Sequence, residues 1–549
     1  MAAALAALTV FLFLTGGGQI DVAGLTLSSR DWRRPAALLA ALLAARALFL
    51  WQRRGPHLRA RIEGDVALIG FGALCVLLPA LTLRFLDMAC GGLDSHGYVS
   101  AARLIASGRL SVPQPVAEWL PVDNAIEALT PLGYVPSLDG RDIVPMYPLG
   151  LPLVMALFRA VLGADGPFFV APVLGATTIA LSYGIVSPLG GRLAGGLSAA
   201  AIAAHPVFFT YSLQAMSDVP ATFWVVLAVF FLTRNRAWPA FAGAAAGMAM
   251  LTRPPLALAA AVFACIVYVE RRAASVRFVA GFAPFVAALI LLYTLLYGSP
   301  TLSGYGSPGD LFSADAIPRN LQVYSRWMLN VHTPVLVVML AAAWFVCDRR
   351  AVAAALLLFA AVAAPYMVYV PSFDDWEMLR FLLPGVVFLI MLSAYAFARI
   401  LERLAPAPAP ALLAVTVAAA VTAGWYQYVQ NRQVFQLWIA DSKYPEVARW
   451  LSRNSDANAM VFASLHSGSV RYYSGRTTIR WDRIPAEQLS QAVAAIAARG
   501  HRMFLVLDGI DERQAFASRF DDAALAGVRI EFVDRHVNAY LATVAARTP

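Results

Sequence analysis

Residues 278–297 read FVAGFAPFVAALILLYTLLY, twenty positions without a charge, preceded by Arg271, Arg272 and Arg277 and followed by Gly298-Ser299-Pro300. A helix of that length rises ~30 Å, the thickness of bilayer hydrocarbon, and satisfies its own backbone there. Outward from this stretch, apolar runs recur at roughly 2–15, 36–51, 65–86, 167–187, 193–211, 219–234, 238–252, 255–269, 333–347, 351–370, 381–401 and 409–427. The 549 residues are 60% hydrophobic and 14% charged, against ~25% charged in a soluble domain. A large soluble enzyme is excluded. The pattern predicts a polytopic α-helical membrane protein of about thirteen transmembrane helices.

Charge sets the orientation and the domain plan. With a cytoplasmic N-terminus, 14 arginines fall in about 41 residues of inner loop and helix end, from Arg53 and Arg54 to Arg399 and Arg403. The outer loops before residue 440 carry 13 in about 169, and only Arg30, Arg33 and Arg34 cluster against the trend. The net charge of +9 is therefore topology and points to no nucleic-acid partner. Residues 1–64 read as N-terminal membrane helices and linker, and 65–439 as a membrane module with a long extracytoplasmic loop, 87–166. Residues 440–549, with 26 charges in 110 positions, read as an extracytoplasmic α/β domain. Its strands are expected at 460–464, 503–507, 529–533 and 539–544, and its helices at 445–453, 486–499 and 511–520. It has no P-loop or dinucleotide-binding glycine spacing; His466 opens a polar segment ending at Tyr472-Tyr473 and reads as a loop or capping histidine. Cys75, Cys90, Cys265 and Cys347 have no disulfide or metal spacing. Lys443 is the only lysine among 42 basic residues, a composition that, with abundant alanine, points to a GC-rich bacterial genome and a bacterial inner membrane.

The loop 87–166 is too long for a connector. Asp94-Ser95-His96-Gly97-Tyr98 leads into an amphipathic run that Gly108 stops, and Asp139-Gly140 signals a hairpin. The apolar piece 148–162 would break the charge pattern if it crossed, so it reads as a juxtamembrane or re-entrant helix. Asp94 fits either an N-cap or a general base in a partly dry cleft, and His96 either a surface or capping residue or a catalytic one. Asp218 opens a span with Pro220 in its first turn, as a normal helix start would. Arg253 and Arg380 sit at helix mouths on the side where arginine is scarce. They suit either snorkelling or a bidentate grip on a lipid phosphate.

These residues, in this order and on this face, resemble superfamily C of the membrane glycosyltransferases. The likeness is greatest to the branch of protein O-mannosyltransferases and lipid A aminoarabinose transferases. It rests on Asp94 with Tyr98, Tyr147-Pro148-Leu149-Gly150-Leu151-Pro152, Ala215-Met216-Ser217-Asp218-Val219-Pro220, Thr252-Arg253-Pro254 and Arg380-Phe381-Leu382-Leu383-Pro384, over about residues 65–400. The resemblance implies a sugar carried on a polyprenyl phosphate as donor and a glycan, lipid or protein as acceptor. It implies Asp94 as the base that deprotonates the acceptor hydroxyl, inverting the sugar. Tyr98, His96, Asp218, Arg253, Arg380, Glu377 and Tyr147 become candidate substrate-binding residues. No cofactor is implied, although a divalent metal stays open. Two departures stand out: Asp94-Ser95 occupies the place of an acidic pair found in many relatives, and the Trp-Trp-Asp motif of oligosaccharyltransferases is absent. No Asp-x-Asp motif supports a sugar-nucleotide donor.

A transporter or flippase of a lipid-linked substrate is the competing class, and an assembly role a third. Transporters commonly show internal repeats and midplane polar residues. This chain shows no repeat, and its polar candidates gather at the outer mouth.

Overall fold

The computed structural model describes residues 18–22, 25–29, 72, 80–234, 238–404, 409–536 and 539–546. The spans expected at 2–15 and 36–51, and most of 65–86, lie outside them. Between the first two, β1 (Gly18–Val22) and β2 (Leu25–Ser29) pair antiparallel.

The long loop is structured throughout. Its first helix, α1 (Asp94–Ala106), runs until the chain turns at Gly108, φ +71°. Short strands follow, β3 (Val112–Pro113), β4 (Tyr134–Pro136) and β5 (Asp142–Pro145), with α2 (Ala125–Leu129) between the first two. The Asp139-Gly140 hairpin joins β4 to β5, with Gly140 in the left-handed region that the turn needs. The apolar piece forms α3 (Gly150–Leu162). Leu151, Val154 and Met155 are buried, whereas Leu153, Leu157 and Val161 form an exposed stripe at helical spacing.

The helical module then packs around one apolar core. Segment α4 (Val170–Ala204) is two helices joined at Gly191, φ +80°. A Cβ on Gly195 would lie 3.0 Å from the Tyr183 ring, although twelve residues of straight helix would separate them by ~18 Å. The chain therefore doubles back, matching two separate expected spans. After a break at His205 come α5 (Pro206–Ser212), α6 (Asp218–Arg234), α7 (Pro239–Thr252), α8 (Ala257–Glu270) and α9 (Arg272–Tyr297). Helices α7 and α9 approach backbone to backbone: a Cβ on Gly243 would lie 2.0 Å from the Phe278 carbonyl oxygen, and one on Gly281 2.0 Å from that of Ala240. Helix α10 (Ile317–Val346) is far longer than its expected 333–347 and turns by 88° between residues 332 and 335. Helices α11 (Arg349–Met367), α12 (Leu383–Leu404) and α13 (Ala409–Asn431) complete the module.

Among the described residues, the stretches Gly150–Ala204, Arg272–Tyr297, Arg349–Met367 and Trp376–Leu404 are long and apolar enough to cross a bilayer, and the bent α10 makes a fifth. On α9 the bare side chains include Val276 at 70% exposure and Leu295 at 62%. An apolar helix left this open is built for lipid.

The last hundred residues form the expected α/β unit. It begins with α14 (Leu437–Asp441) and α15 (Lys443–Asn454). Then follow β6 (Met460–Ala463), α16 (Ser467–Ser474), β7 (Thr477–Ile479), α17 (Leu489–Ala498), β8 (Met503–Asp508), α18 (Gly509–Arg519), β9 (Val528–His536) and β10 (Ala539–Ala546). The sheet order is β7-β6-β8-β10-β9, parallel across the first three strands and antiparallel after them. The polar segment after His466 is helical, with His466 at its N-cap position but no capping bond from its side chain, and β7 carries no apolar run that would announce it. The loop also enters this unit. Leu120, Val122, Ala128 and Leu129 are buried against Phe462, Ile479, Trp481 and Leu489.

Where the unit meets the helical module, the buried Asp87 carboxyl shares a hydrogen bond with Asp441. Burial, then the charge on Asp441, push the Asp87 pKa up to about 8. Between its ordinary 3.8 and that value, the unfolded chain has released a proton that the folded chain retains. Stability contributed here is complete below pH 3.8 and declines as pH rises toward 8. Asp87→Asn should raise Tm in detergent more at pH 8 than at pH 5; equal gains would contradict the assignment. At the α7–α9 crossing, Gly281→Val should cost about 1–3 kcal/mol or more by overpacking. Gly424→Ala on α13, where a Cβ meets nothing within 4 Å, should be neutral or stabilising, as paired thermal melts would show.

Candidate active site

Asp94 is the first residue of α1, and no side chain caps that helix at Leu93. Its carboxylate is turned elsewhere. Oδ1 accepts a 2.6 Å hydrogen bond from the Tyr147 hydroxyl, and Oδ2 accepts one of 3.1 Å from Arg380 Nη1. Tyr147 can reach because Gly97, one turn along α1, has no side chain: a Cβ there would stand 2.2 Å from the Tyr147 ring. Gly150 settles the other end of that motif, since its Cβ would lie 2.4 Å from the Leu251 and Thr252 backbone. The Tyr-Pro-Leu-Gly and Thr-Arg-Pro motifs are thus two sides of one contact.

Arg253 follows the last residue of α7, extended at φ −143° as a residue before proline must be. This conformation ends the helix and turns the guanidinium inward. Its Nη2 donates to Asp218 Oδ1 at 2.5 Å, its Nε to Ser217 Oγ at 3.0 Å, and its Nη1 to the Arg380 carbonyl at 3.4 Å. The Tyr98 hydroxyl donates to the same Ser217 oxygen at 3.0 Å. Arg380 stands on a 3-10 turn, Trp376–Leu382, leading into α12. The Phe381 ring lies 5.1 Å from the Arg253 guanidinium carbon and 4.9 Å from that of Arg380, within cation–π range of both.

Two carboxylate–arginine pairs therefore face one cavity of about 660 Å³. Asp94, Tyr98, Tyr147, Asp218, Arg253 and Arg380 all line it. Asp218 is 1% exposed, and its Oδ2 has no partner among the described residues; neither has Arg380 Nε. A buried polar atom without a partner is costly, so both are groups a ligand could satisfy. Burial, and then the Asp94 charge, push the Tyr98 and Tyr147 phenols well up. Tyr147 is thus a proton-bearing donor to Asp94.

Two candidates lie elsewhere. His96 faces away from the cavity, 2% exposed, with Nδ1 2.9 Å from the Leu132 carbonyl oxygen. Glu377 lies one turn before Arg380 and does not line the cavity; its backbone N–H donates to Asp375 Oδ1. The structure adds Tyr305, Tyr366 and Tyr369. Tyr305 arrives because Gly304 fits against the Met146 backbone, where a Cβ would lie 2.1 Å away. The only sequence signal was a tyrosine between two glycines. Among the described residues, no group of three or more His, Cys, Asp or Glu could hold a metal ion.

Residues 142–297 match the family model of the dolichyl-phosphate-mannose-protein mannosyltransferases, a segment holding Tyr147, Asp218 and Arg253. The structure is similar to ArnT from Cupriavidus metallidurans in the apo state, with TM-score 0.56 and 13% identity over 87% of this chain and 97% of that one. With the same enzyme bound to undecaprenyl phosphate the TM-score is 0.55 at 11% identity, with the same coverage. The fold is that of the superfamily C membrane glycosyltransferases. A third structure with this superfamily C fold, an oligosaccharyltransferase from Archaeoglobus fulgidus, is 14% identical at TM-score 0.51, over 86% of this chain and 73% of that one. No curated protein matches the chain by sequence.

Removing one partner of a buried ion pair strands the other charge. Arg253→Met should therefore cost about 3–5 kcal/mol, and Arg253→Met with Asp218→Asn distinctly less. Denaturation of both variants in detergent measures the difference; equal losses would show that the pair is not coupled.

Proposed function

We propose that this protein transfers a single sugar from a polyprenyl-phosphate donor to an acceptor hydroxyl, at the extracytoplasmic face of a bacterial inner membrane. The observation that carries the reading is the division of charge in one cavity. A partly open carboxylate, Asp94 at 27% side-chain exposure, stands beside Arg380, whose Nε has no partner among the described residues, and a second arginine, Arg253, lines the same cavity. A carboxylate serves the acceptor's proton, and cations serve a phosphate leaving group. The similar fold of an enzyme bound to undecaprenyl phosphate supports the same donor class.

In this mechanism the acceptor O–H gives its proton to Asp94 while its oxygen bonds the anomeric carbon. The bond from that carbon to the phosphate oxygen breaks with its electron pair, and polyprenyl phosphate leaves from the opposite face. The configuration inverts. Tyr147 and Arg380 hold the Asp94 carboxylate at both oxygens. Through its free Nε, Arg380 can meet the leaving phosphate without releasing Asp94. Asp218 Oδ2 can accept from a sugar hydroxyl. The arrangement extends to about thirteen spans, a cytoplasmic N-terminus and an α/β unit outside, as the arginine asymmetry predicts. The acceptor is a glycan, a lipid or a protein.

Purified protein in detergent, given polyprenyl-phosphate sugars and candidate acceptors, should release polyprenyl phosphate. Asp94→Asn should lower turnover by about 10²–10⁴-fold in protein that elutes as the wild type does. Undiminished turnover in that variant would sink the base assignment.

A further inference from the structure

Asp94 and His96 stand on the same turn of α1 and point in opposite directions. The carboxylate enters the cavity, while the imidazole enters the α/β unit. There it meets Gly468, where a Cβ would lie 2.3 Å from His96 Nδ1, so no larger residue fits without moving the ring. Burial drives the His96 pKa down to about 4, leaving a neutral packed ring near neutral pH. Its Nδ1 stays within hydrogen-bonding distance of the Leu132 carbonyl, and the Leu132 N–H donates to Ser467 Oγ at 3.2 Å.

A second contact fixes the approach to α1. The Cys90 N–H donates to the Tyr473 hydroxyl at 2.7 Å, and the Tyr444 ring covers Gly91, whose Cβ would stand 2.1 Å from it. Ser467, Gly468 and Tyr473 all belong to α16. This one short helix therefore grips the chain on both sides of Asp94. The start of α1 has no capping side chain of its own, so its position depends on what surrounds it.

We infer that the α/β unit, through α16 and the His96–Gly468 contact, positions the Asp94 carboxylate for proton transfer. His96, Gly468 and Tyr473 are positioning residues that never touch substrate. The inference rests on the reading of Asp94 as the base. Its physical basis is the steep dependence of reaction rate on geometry, where a shift of ~1 Å can cost ~10²-fold.

The test uses the full-length protein in detergent. Gly468→Ala should lower kcat at least about tenfold, with the donor KM little changed, as Asp94 leaves Tyr147 and Arg380. Gly468→Ala combined with His96→Ala, which restores the space, should recover kcat above Gly468→Ala alone. Tyr473→Phe, which removes no packing, should show the same loss of kcat at constant KM and serves if Gly468→Ala does not fold. Wild-type kcat in Gly468→Ala, or in Tyr473→Phe in its place, while Asp94→Asn is inactive, would overturn the positioning role and leave the base intact. An active Asp94→Asn would overturn the base itself. Absence of recovery in the double variant would show that the His96–Gly468 contact does not act on Asp94.

Discussion

An arginine can be buried among apolar helices only if an anion meets it there, and that constraint organises this molecule. Coulomb energy between unit charges 4 Å apart is ~4 kcal/mol at the effective dielectric of a protein surface and rises inward. Arg253 without Asp218 would be untenable. Its partner opens α6, and the arginine itself ends α7. The second pair spans 286 residues of sequence, joining the start of α1 to the turn before α12. Phe381 faces both guanidiniums, so an aromatic ring supplies the surface that water would otherwise provide. The helices must converge at this point for all four charges to be met.

The two pairs are not equivalent. Asp218 and Arg253 are closed off, with 1% and 9% of their side chains exposed, whereas Asp94 and Arg380 keep 27% and 16%. One pair resembles a structural rivet with a spare oxygen, and the other stands at an opening. Chemistry that moves a proton needs the second kind of environment.

Much of this was legible in the sequence because it follows from charge and periodicity. Apolar runs gave the helices, and the scarcity of arginine on one side of the expected topology pointed to Arg253 and Arg380. The α/β strands stood out where apolar runs were long, at Met460–Ala463 and Met503–Asp508. Three-residue β7 did not, because its neighbours fix it more than its own composition does. Asp94 and His96 were both candidates for the cavity, and the surroundings of α1 separate them. In the tyrosine wall, Tyr366 stands on α11 while Tyr305 and Tyr369 come from loops, and no local spacing encodes that they meet. Helix α10 outran its apolar segment because a helix continues through polar residues wherever tertiary contacts accept them.

The loop residues beneath the C-terminal sheet have a consequence for biogenesis. Leu120 and Leu129 share a core with Trp481 and Leu489, more than three hundred positions later. When the ribosome has finished the loop, the partners of these side chains have not been made. They wait uncovered while nine further helices, α4 and α6 to α13, are made. Closure across so long a stretch of chain is intrinsically slow, and apolar surface exposed meanwhile invites mispairing. The strand latest in sequence among the described residues, β10, lies at the centre of the sheet's antiparallel half. A chain truncated just before it would therefore leave both the sheet and the loop unfinished, far from the point of truncation.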